Sequence, residues 1–248
     1  MILQLHRSDL EDSIAAYLHE RLPMAPMEVV FDVGANHGWF TYLFLQHYPQ
    51  SNYYLFEPVR SIHAQCLANL GRFEVYHPER TLISRMALSS SGGEGRMTAE
   101  PGVTVNHLVG EGGKTTGQPT ETVTMTTGAA FCAERNIHRI NFLKIDCEGH
   151  DFEVLKGFET LLIRAAVDFV QVECSMSGST FTASSLQPFE RVNTYLRNLG
   201  YELLRFTNQA SDSLPFLARA DVVWIHRSVA EALAVAAAQV EVANHSGA

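Results

Sequence analysis

What this chain of 248 residues has little of narrows its function first. Cysteine occurs four times, at Cys66, Cys132, Cys147 and Cys174, and never as C-x-x-C, so neither a structural zinc site nor a disulfide is expected. No apolar run approaches the roughly 18 residues of a membrane span. Met1 to Leu10 lacks the apolar core of a signal peptide. The expectation is a cytoplasmic protein with reduced thiols and no membrane partner. Basic residues are also few: 18 Lys and Arg against 27 Asp and Glu leave a formal net charge of −9. No Lys/Arg run concentrates positive charge, so nucleic acid is not an expected partner. Hydrophobic residues at 46% against charged ones at 18% are enough for a globular core. Neither an internal repeat nor a linker is visible, and the expectation is a single α/β domain over residues 1–248.

The patterned segments alternate between strand and helix. Ser8 and Glu11 have capping-box spacing, and Leu10, Ile14, Tyr17, Leu18 and Leu22 recur at helical intervals, which predicts a helix over Ser8 to Leu22. Pro23 and Pro26 end it, making residues 1–27 a helical extension. Glu28 to Val33 reads as a buried strand, Trp39 to Tyr48 as a helix, Asn52 to Glu57 as a second strand and the segment to about Leu70 as a helix. The alternation resumes with a strand at Ile140 to Ile145, a helix at Asp151 to Ile163, a strand at Val167 to Val172 and a helix at Ser185 to Leu199. Two closing strands follow at Tyr201 to Phe206 and Asp221 to His226, then an Ala-rich tail helix from about Ser228 to Val242, within residues 228–248. This order predicts a mostly parallel, Rossmann-like sheet with helices on both faces. Residues 89–122 are Gly-rich and without a period, and are expected to form a lid insert.

The loop between the first strand and its helix is the most informative stretch. Asp32-x-Gly34-x-Asn36-x-Gly38 provides the tight turn and close backbone approach that glycine permits. It is not the G-x-G-x-x-G that points a helix N-terminus at a pyrophosphate. An acid leads here, and its charge suits a ligand bearing a cationic amine and a sulfonium rather than a phosphate. Glu57, at the end of the second strand and 19 residues beyond Gly38, can accept two hydrogen bonds from a ribose diol.

Three motifs in order carry a family resemblance: Val30-Phe31-Asp32-Val33-Gly34-Ala35-Asn36-His37-Gly38, Phe56-Glu57-Pro58, and Phe142-Leu143-Lys144-Ile145-Asp146-Cys147-Glu148-Gly149. They resemble the FkbM-type methyltransferases over roughly Val29 to Glu173, with further likeness at Gly200-Tyr201 and at the closing strand near Asp221. The resemblance implies a class I methyltransferase fold, a seven-stranded sheet whose last strand is antiparallel. It implies S-adenosylmethionine as methyl donor and a hydroxyl of a sugar, polyketide or other natural product as acceptor. It makes Asp32, Gly34, Asn36 and Gly38 the methionine-side loop, Glu57 the ribose acid, and Ala87 and Leu88, at the end of the third strand, the adenine neighbours. Asp146 is then the contact of the donor's amino group. The family's usual Thr-Leu-Asp is replaced here by a stretch that looks like Thr124-Met125-Thr126-Thr127.

A hydroxyl acceptor needs its proton removed by a base or its pKa lowered by a metal. The catalytic candidates are Lys144, Glu148 and His150 after the fourth strand and Glu173 at the end of the fifth. Asp146, Glu148 and Glu173 could together hold Mg²⁺. Because the donor engages Asp146, the favoured reading is metal-free base catalysis by Glu148 or His150. Two other readings stay open: a nucleotide-binding enzyme of another class on a related sheet, and a non-catalytic binding module of the same fold. Acceptor specificity is expected in the Ser89 to Thr122 insert and the Thr207 to Arg219 link. The tail helix, with Leu233, Ala236, Ala237 and Val240 at helical spacing, packs on its own core or on a twin, so a homodimer is left open.

Overall fold

The computed structural model of the chain describes residues 13–100, 106–109, 117–176, 186–211 and 217–246, with 241–246 as backbone only. In chain order the elements begin with α1 (Ile14–Arg21), β1 (Val29–Val33), α2 (Trp39–His47), β2 (Asn52–Phe56), α3 (Arg60–Leu70) and β3 (Thr81–Ser84). Then come β4 (Met86–Leu88), β5 (Gly93–Thr98), β6 (Leu108–Val109), β7 (Thr120–Thr126), α4 (Gly128–Glu134) and β8 (Ile140–Ile145). The last elements are α5 (Asp151–Gly157), α6 (Glu159–Ile163), β9 (Val167–Ser175), β10 (Gln187–Pro188), α7 (Phe189–Asn198), β11 (Tyr201–Ala210), β12 (Arg219–His226) and α8 (Arg227–Ser246).

The main sheet runs β3-β2-β1-β8-β9-β12-β11, with the short β10 beside the end of β9. All pairings from β3 to β9 are parallel, and β12 is antiparallel to both of its neighbours. Counted along the chain, the seven strands stand in the order 3-2-1-4-5-7-6. The dinucleotide sheet has 3-2-1-4-5-6, so this is that sheet with a final strand folded back into it. The order reverses between β1 and β8, and open sheets of this kind bind ligands outside the carboxyl ends of such a pair.

Both faces of the sheet are covered, which is why its strands read as nearly continuous apolar runs. Val30, Phe142, Phe169 and Val223 lie on one face, under Leu18 of α1, Phe44 of α2, Leu70 of α3 and Val229 of α8. Phe31, Leu143, Val170 and Val222 lie on the other, under Phe131 of α4, Leu155 of α5, Leu162 of α6 and Leu196 of α7. Side chains alternate with a period of two. Two residues on from Val30, Phe142 and Phe169 therefore come Asp32, Lys144 and Gln171, on the first face and nearer the carboxyl ends. The antiparallel β12 puts Val223 at that level and Asp221, on the same face, one step nearer the carboxyl ends, opposite Glu173. Register sets Asp32 opposite Lys144, and Lys144 opposite Gln171. A row of polar groups thus crosses an apolar sheet at the switch point.

The insert forms a second sheet in the order β4-β7-β5-β6, with β4 parallel to β7 and β5 antiparallel to β7 and β6. Its strands escape a periodicity reading because they are short or polar and mostly half-buried; β5 is Gly-Glu-Gly-Arg-Met-Thr, and its first two residues face solvent. The third strand of the main sheet ends at Ser84, so Ala87 and Leu88 lie beyond it in β4 of the smaller sheet. Thr124, Met125 and Thr126 belong to β7, and Thr127 caps α4 by accepting a hydrogen bond from the Ala130 amide. The helix expected over Asp151 to Ile163 is two, broken at Phe158. Gly157 is packed so tightly there that a Cβ would lie 2.2 Å from the Ser89 carbonyl oxygen. The helix expected from Ser185 begins at Phe189, after β10; Ser185 itself lies outside the described residues. So do Ser8 and Glu11, while Ser13 caps α1 through the Ala16 amide at 3.1 Å.

Candidate active site

Lys144 is the centre of the site. Its ammonium lies 3.2 Å from Asp32 Oδ1 and 3.3 Å from Asp146 Oδ2, and donates to the Gly34 carbonyl at 3.0 Å. Thr41 of α2 donates to Asp32 Oδ2 at 2.7 Å. Burial alone would lower the Lys144 pKa; Asp32 and Asp146 outweigh it and hold the ammonium above the usual lysine range. Asp32 is fully buried in this pair. Through one lysine, the end of β1, the glycine loop and the end of β8 are locked together.

The loop after β1 folds onto that lock. Gly34 has φ +78°, and a Cβ there would sit 1.8 Å from the Asp146 carbonyl oxygen, so no other residue fits. The Gly34 and Ala35 amides donate to the Phe56 carbonyl, and the Asn36 amide donates to Glu57 Oε2 at 3.0 Å. Glu57 Oε1 accepts from the Val59 amide at 3.0 Å. Burial pushes Glu57 up to about 7 despite those two amides and the nearby Lys144. Gly38, also at positive φ, starts α2 and packs on Cys66 and Leu70 of α3.

Two cavities flank this loop. The first lies between the carboxyl ends of β1 and β2, the turn after β8, and the smaller sheet, and opens to solvent. Its walls include Phe56, Ile62, Ala87 and Leu88, with Met97 of β5 and Leu108 of β6 on the insert side. Gly34, Asn36, Glu57, Asp146, Glu148 and His150 complete it. The second, wider one lies on the other side of the loop under α1 and α2 and also opens to solvent. Trp39 and Phe40 face Gln171, Thr207, Asn208 and Asp221 across it. Asn36 and Asp146 line both.

In the turn after β8, Asp146 and Glu148 both line the first cavity, while Lys144 and Asp146 line the second. Glu148 has φ +51° and Gly149 φ +94°, which turns the Glu148 side chain into the first cavity. Asp151 ties this turn, its carboxylate accepting from the Cys147 amide at 2.8 Å and the Gly149 amide at 3.0 Å. Sequence reading took Asp151 only as the start of a helix; an acid closing a Cys-Glu-Gly-His turn was the available signal. Burial, then the charges of Asp146, Glu173 and Asp151, push Glu148 up to about 7. The His150 ring shares a 2.9 Å hydrogen bond with Ser89, and burial lowers its pKa. Glu173 pairs with Arg219 at 2.9 Å and lines neither cavity. Asp221 and Gln171 were missed because a strand pattern does not tell which residues of two distant strands end beside Lys144.

The first cavity fits a nucleoside. Its walls are apolar where a base would lie, and each Glu57 oxygen, having accepted one amide, keeps a lone pair for a ribose hydroxyl. Sheet order, the acid-led glycine loop and this cavity are those of an S-adenosylmethionine-dependent methyltransferase fold. The methyltransferase FkbM domain matches residues 32–203, and the chain belongs to that family. The 31-O-demethyl-FK506 methyltransferase FkbM of Streptomyces tacrolimicus is 30% identical over 171 residues, which cover 58% of this chain and 64% of the relative. Among solved structures, an S-adenosylmethionine-dependent methyltransferase from Aquifex aeolicus covers 89% of this chain, over 94% of its own, at 10% identity and a TM-score of 0.48. TrmK of M. capricolum, solved with S-adenosylhomocysteine, covers 92% of this chain, over 70% of its own, at 10% identity and a TM-score of 0.49. Among the described residues no helix is long and apolar enough to cross a membrane, and no group of three or more His, Cys, Asp and Glu is placed to hold a metal ion.

Proposed function

We propose that this chain transfers a methyl group from S-adenosylmethionine to a hydroxyl of a sugar, polyketide or other natural-product metabolite. The observation that carries the reading is the pair of cavities meeting at Asn36 and Asp146 above the switch point of the sheet. When bound, the donor supplies a methyl group on a sulfonium, already activated for displacement, so the protein's work is mainly alignment. In this reading Glu57 holds the ribose, and Ala87 and Leu88 flank the base. Gly34 and Asn36 receive the methionine end, and the Asp146 carboxylate receives its amino group. Lys144 acts by position, fixing Asp146 and the Gly34 carbonyl. Glu148 and His150 line the first cavity, which supports a donor-side role for both rather than contact with the acceptor.

No metal is invoked, because the Glu173 carboxylate is engaged by Arg219; activity is expected to persist in EDTA. The relative is named for 31-O-demethyl-FK506, an acceptor lacking a methyl on an oxygen, which supports transfer to a hydroxyl. Calorimetry with S-adenosylmethionine, S-adenosylhomocysteine and NAD tests the donor. Labelled methyl transfer to 31-O-demethyl-FK506 and to a hydroxylated-metabolite extract tests the reaction. Binding of NAD in preference to the sulfonium would refute the donor, and donor binding without any labelled product would make the chain a binding module.

A further inference from the structure

Resting on the proposed methyl transfer, we infer that the second cavity is the acceptor site, that it takes an uncharged ring bearing several hydroxyls, and that Asp221 receives the proton of the hydroxyl being methylated. The cavity is built from two unlike walls. Trp39 and Phe40, from the first turn of α2, offer aromatic surface to a ring. Gln171, Thr207, Asn208 and Asp221 oppose them with amide, hydroxyl and carboxylate groups.

The polar wall is prepared for hydroxyls. Gln171 Nε2 donates to Asp221 Oδ2 at 3.1 Å, and Asn208 Nδ2 donates to the same oxygen at 2.5 Å. Gln171 is 3% exposed, and its Oε1 has no partner among the described residues. A hydroxyl donor would satisfy that buried oxygen, which otherwise carries an uncompensated desolvation cost. The charged side chains that line the cavity among the described residues are Lys144, Asp146 and Asp221, and Lys144 is already held by Asp32 and Asp146. Burial lowers His37, the other titratable group there. What remains is net negative, so phosphorylated or carboxylated ligands are repelled.

Asp221 fits the role of base. It stands on β12 opposite Glu173, two residues beyond the level of Lys144 toward the carboxyl ends, and the cavity it lines adjoins Asp146, where the two cavities meet. Facing it are Lys144 from β8, Asp146 beyond β8, Glu173 from β9 in register, and the amides of Gln171 and Asn208. Burial first, with Asp146 and Glu173, pushes it up to about 6 against the Asn208 hydrogen bond and Lys144, near the range where a carboxylate accepts protons efficiently at neutral pH. In the step, the acceptor oxygen forms a bond to the methyl carbon as the carbon–sulfur bond breaks. The sulfur keeps that electron pair and becomes a neutral thioether. The proton leaves the acceptor oxygen for the Asp221 carboxylate, and solvent later receives it.

The test saturates the protein with S-adenosylhomocysteine and titrates methyl β-D-glucopyranoside against glucose 6-phosphate. Fluorescence of Trp39 reports the second cavity, since the chain's other tryptophan, Trp224, is fully buried. The glycoside should change the emission, Trp39→Phe should abolish the change, and the phosphate should bind at least tenfold more weakly. Wild type should place a labelled methyl on the glycoside. Asp221→Asn should bind S-adenosylhomocysteine and glycoside within about threefold of wild type while kcat falls about 100-fold or more. Equal or tighter phosphate binding, or no labelled glycoside from protein that binds S-adenosylhomocysteine, overturns the acceptor class. An Asp221→Asn variant with near wild-type kcat overturns the base. Should that variant not fold, Asn208→Ala removes one donor from Asp221, and the acid limb of the kcat profile should move to higher pH; an unmoved limb overturns the base as well. Wild type that fails to bind S-adenosylhomocysteine defeats the proposed function instead.

Discussion

Glu57→Gln should make the ligand-free protein more stable at alkaline pH and a weaker donor binder at the same time. The Glu57 carboxyl is 6% exposed, and burial raises its pKa from an ordinary 4.5 to about 7. A raised carboxyl pKa means that the folded state holds its proton where the unfolded chain has lost it. Its contribution is therefore most favourable below pH 4.5 and is lost as pH rises through about 7. At about 1.4 kcal/mol per pK unit, the loss is below about 1 kcal/mol at pH 5 and about 3 kcal/mol at pH 8. Glutamine cannot ionise and does not share it. The variant does set an amide NH₂ against one of the two backbone N–H groups, at Asn36 or Val59. That cost is about 1–3 kcal/mol and is nearly independent of pH. The difference in stability between variant and wild type should consequently swing by about 2–3 kcal/mol in the variant's favour between pH 5 and pH 8. Urea unfolding at both pH values measures it. Calorimetry with S-adenosylhomocysteine at pH 8 should show affinity reduced about tenfold or more, the scale of a lost charge-assisted hydrogen bond. Parallel stability curves would refute the burial argument, and unchanged affinity would refute the ribose assignment.

Lys144→Met strands the fully buried Asp32 charge and should destabilise the fold by about 3–5 kcal/mol, with most of that recovered in the double variant with Asp32→Asn; thermal unfolding of the three proteins decides it, and equal stability of single and double variants would refute the coupling. Gly34→Ala meets the Asp146 carbonyl at 1.8 Å and should cost at least about 3 kcal/mol, whereas Gly92→Ala, whose nearest atom would lie at 3.5 Å, should cost under about 1 kcal/mol; chemical denaturation compares them. Amides of β5 should exchange more slowly with S-adenosylhomocysteine alone, because Met97 and Leu108 line the first cavity rather than the second. Protection of β5 only after an acceptor is added would return the insert to the acceptor side.

The helices and strands of the main sheet were legible because each carries its own period, and the glycine loop because positive φ and close approach demand glycine. Gly34 shows the limit of this: its spacing from Asp32 and its positive φ are local, but the close approach is to the Asp146 carbonyl, 112 residues further along the chain. The insert was not legible, since β5 and β7 are held by pairing with each other rather than by a buried face of their own. Its expected action on the acceptor also moved, as β5 and β6 wall the first cavity while Thr207 and Asn208, from the other candidate segment, line the second.

The amino-acid sequence alone determined the alternating α/β order, the acid-led loop at its start and the family to which they belong, because periodicity, turn chemistry and motif spacing act between near neighbours. Only the tertiary structure decided which carboxylates meet. Asp146 and Glu148 meet in the first cavity, where the chain turns through positive φ at Glu148 and Gly149. Asp221, 77 residues beyond Lys144 in the sequence, reaches the second cavity because β12 runs antiparallel and returns it to the same end of the sheet. Strand direction and register are collective properties of the packed sheet, and no local pattern encodes them.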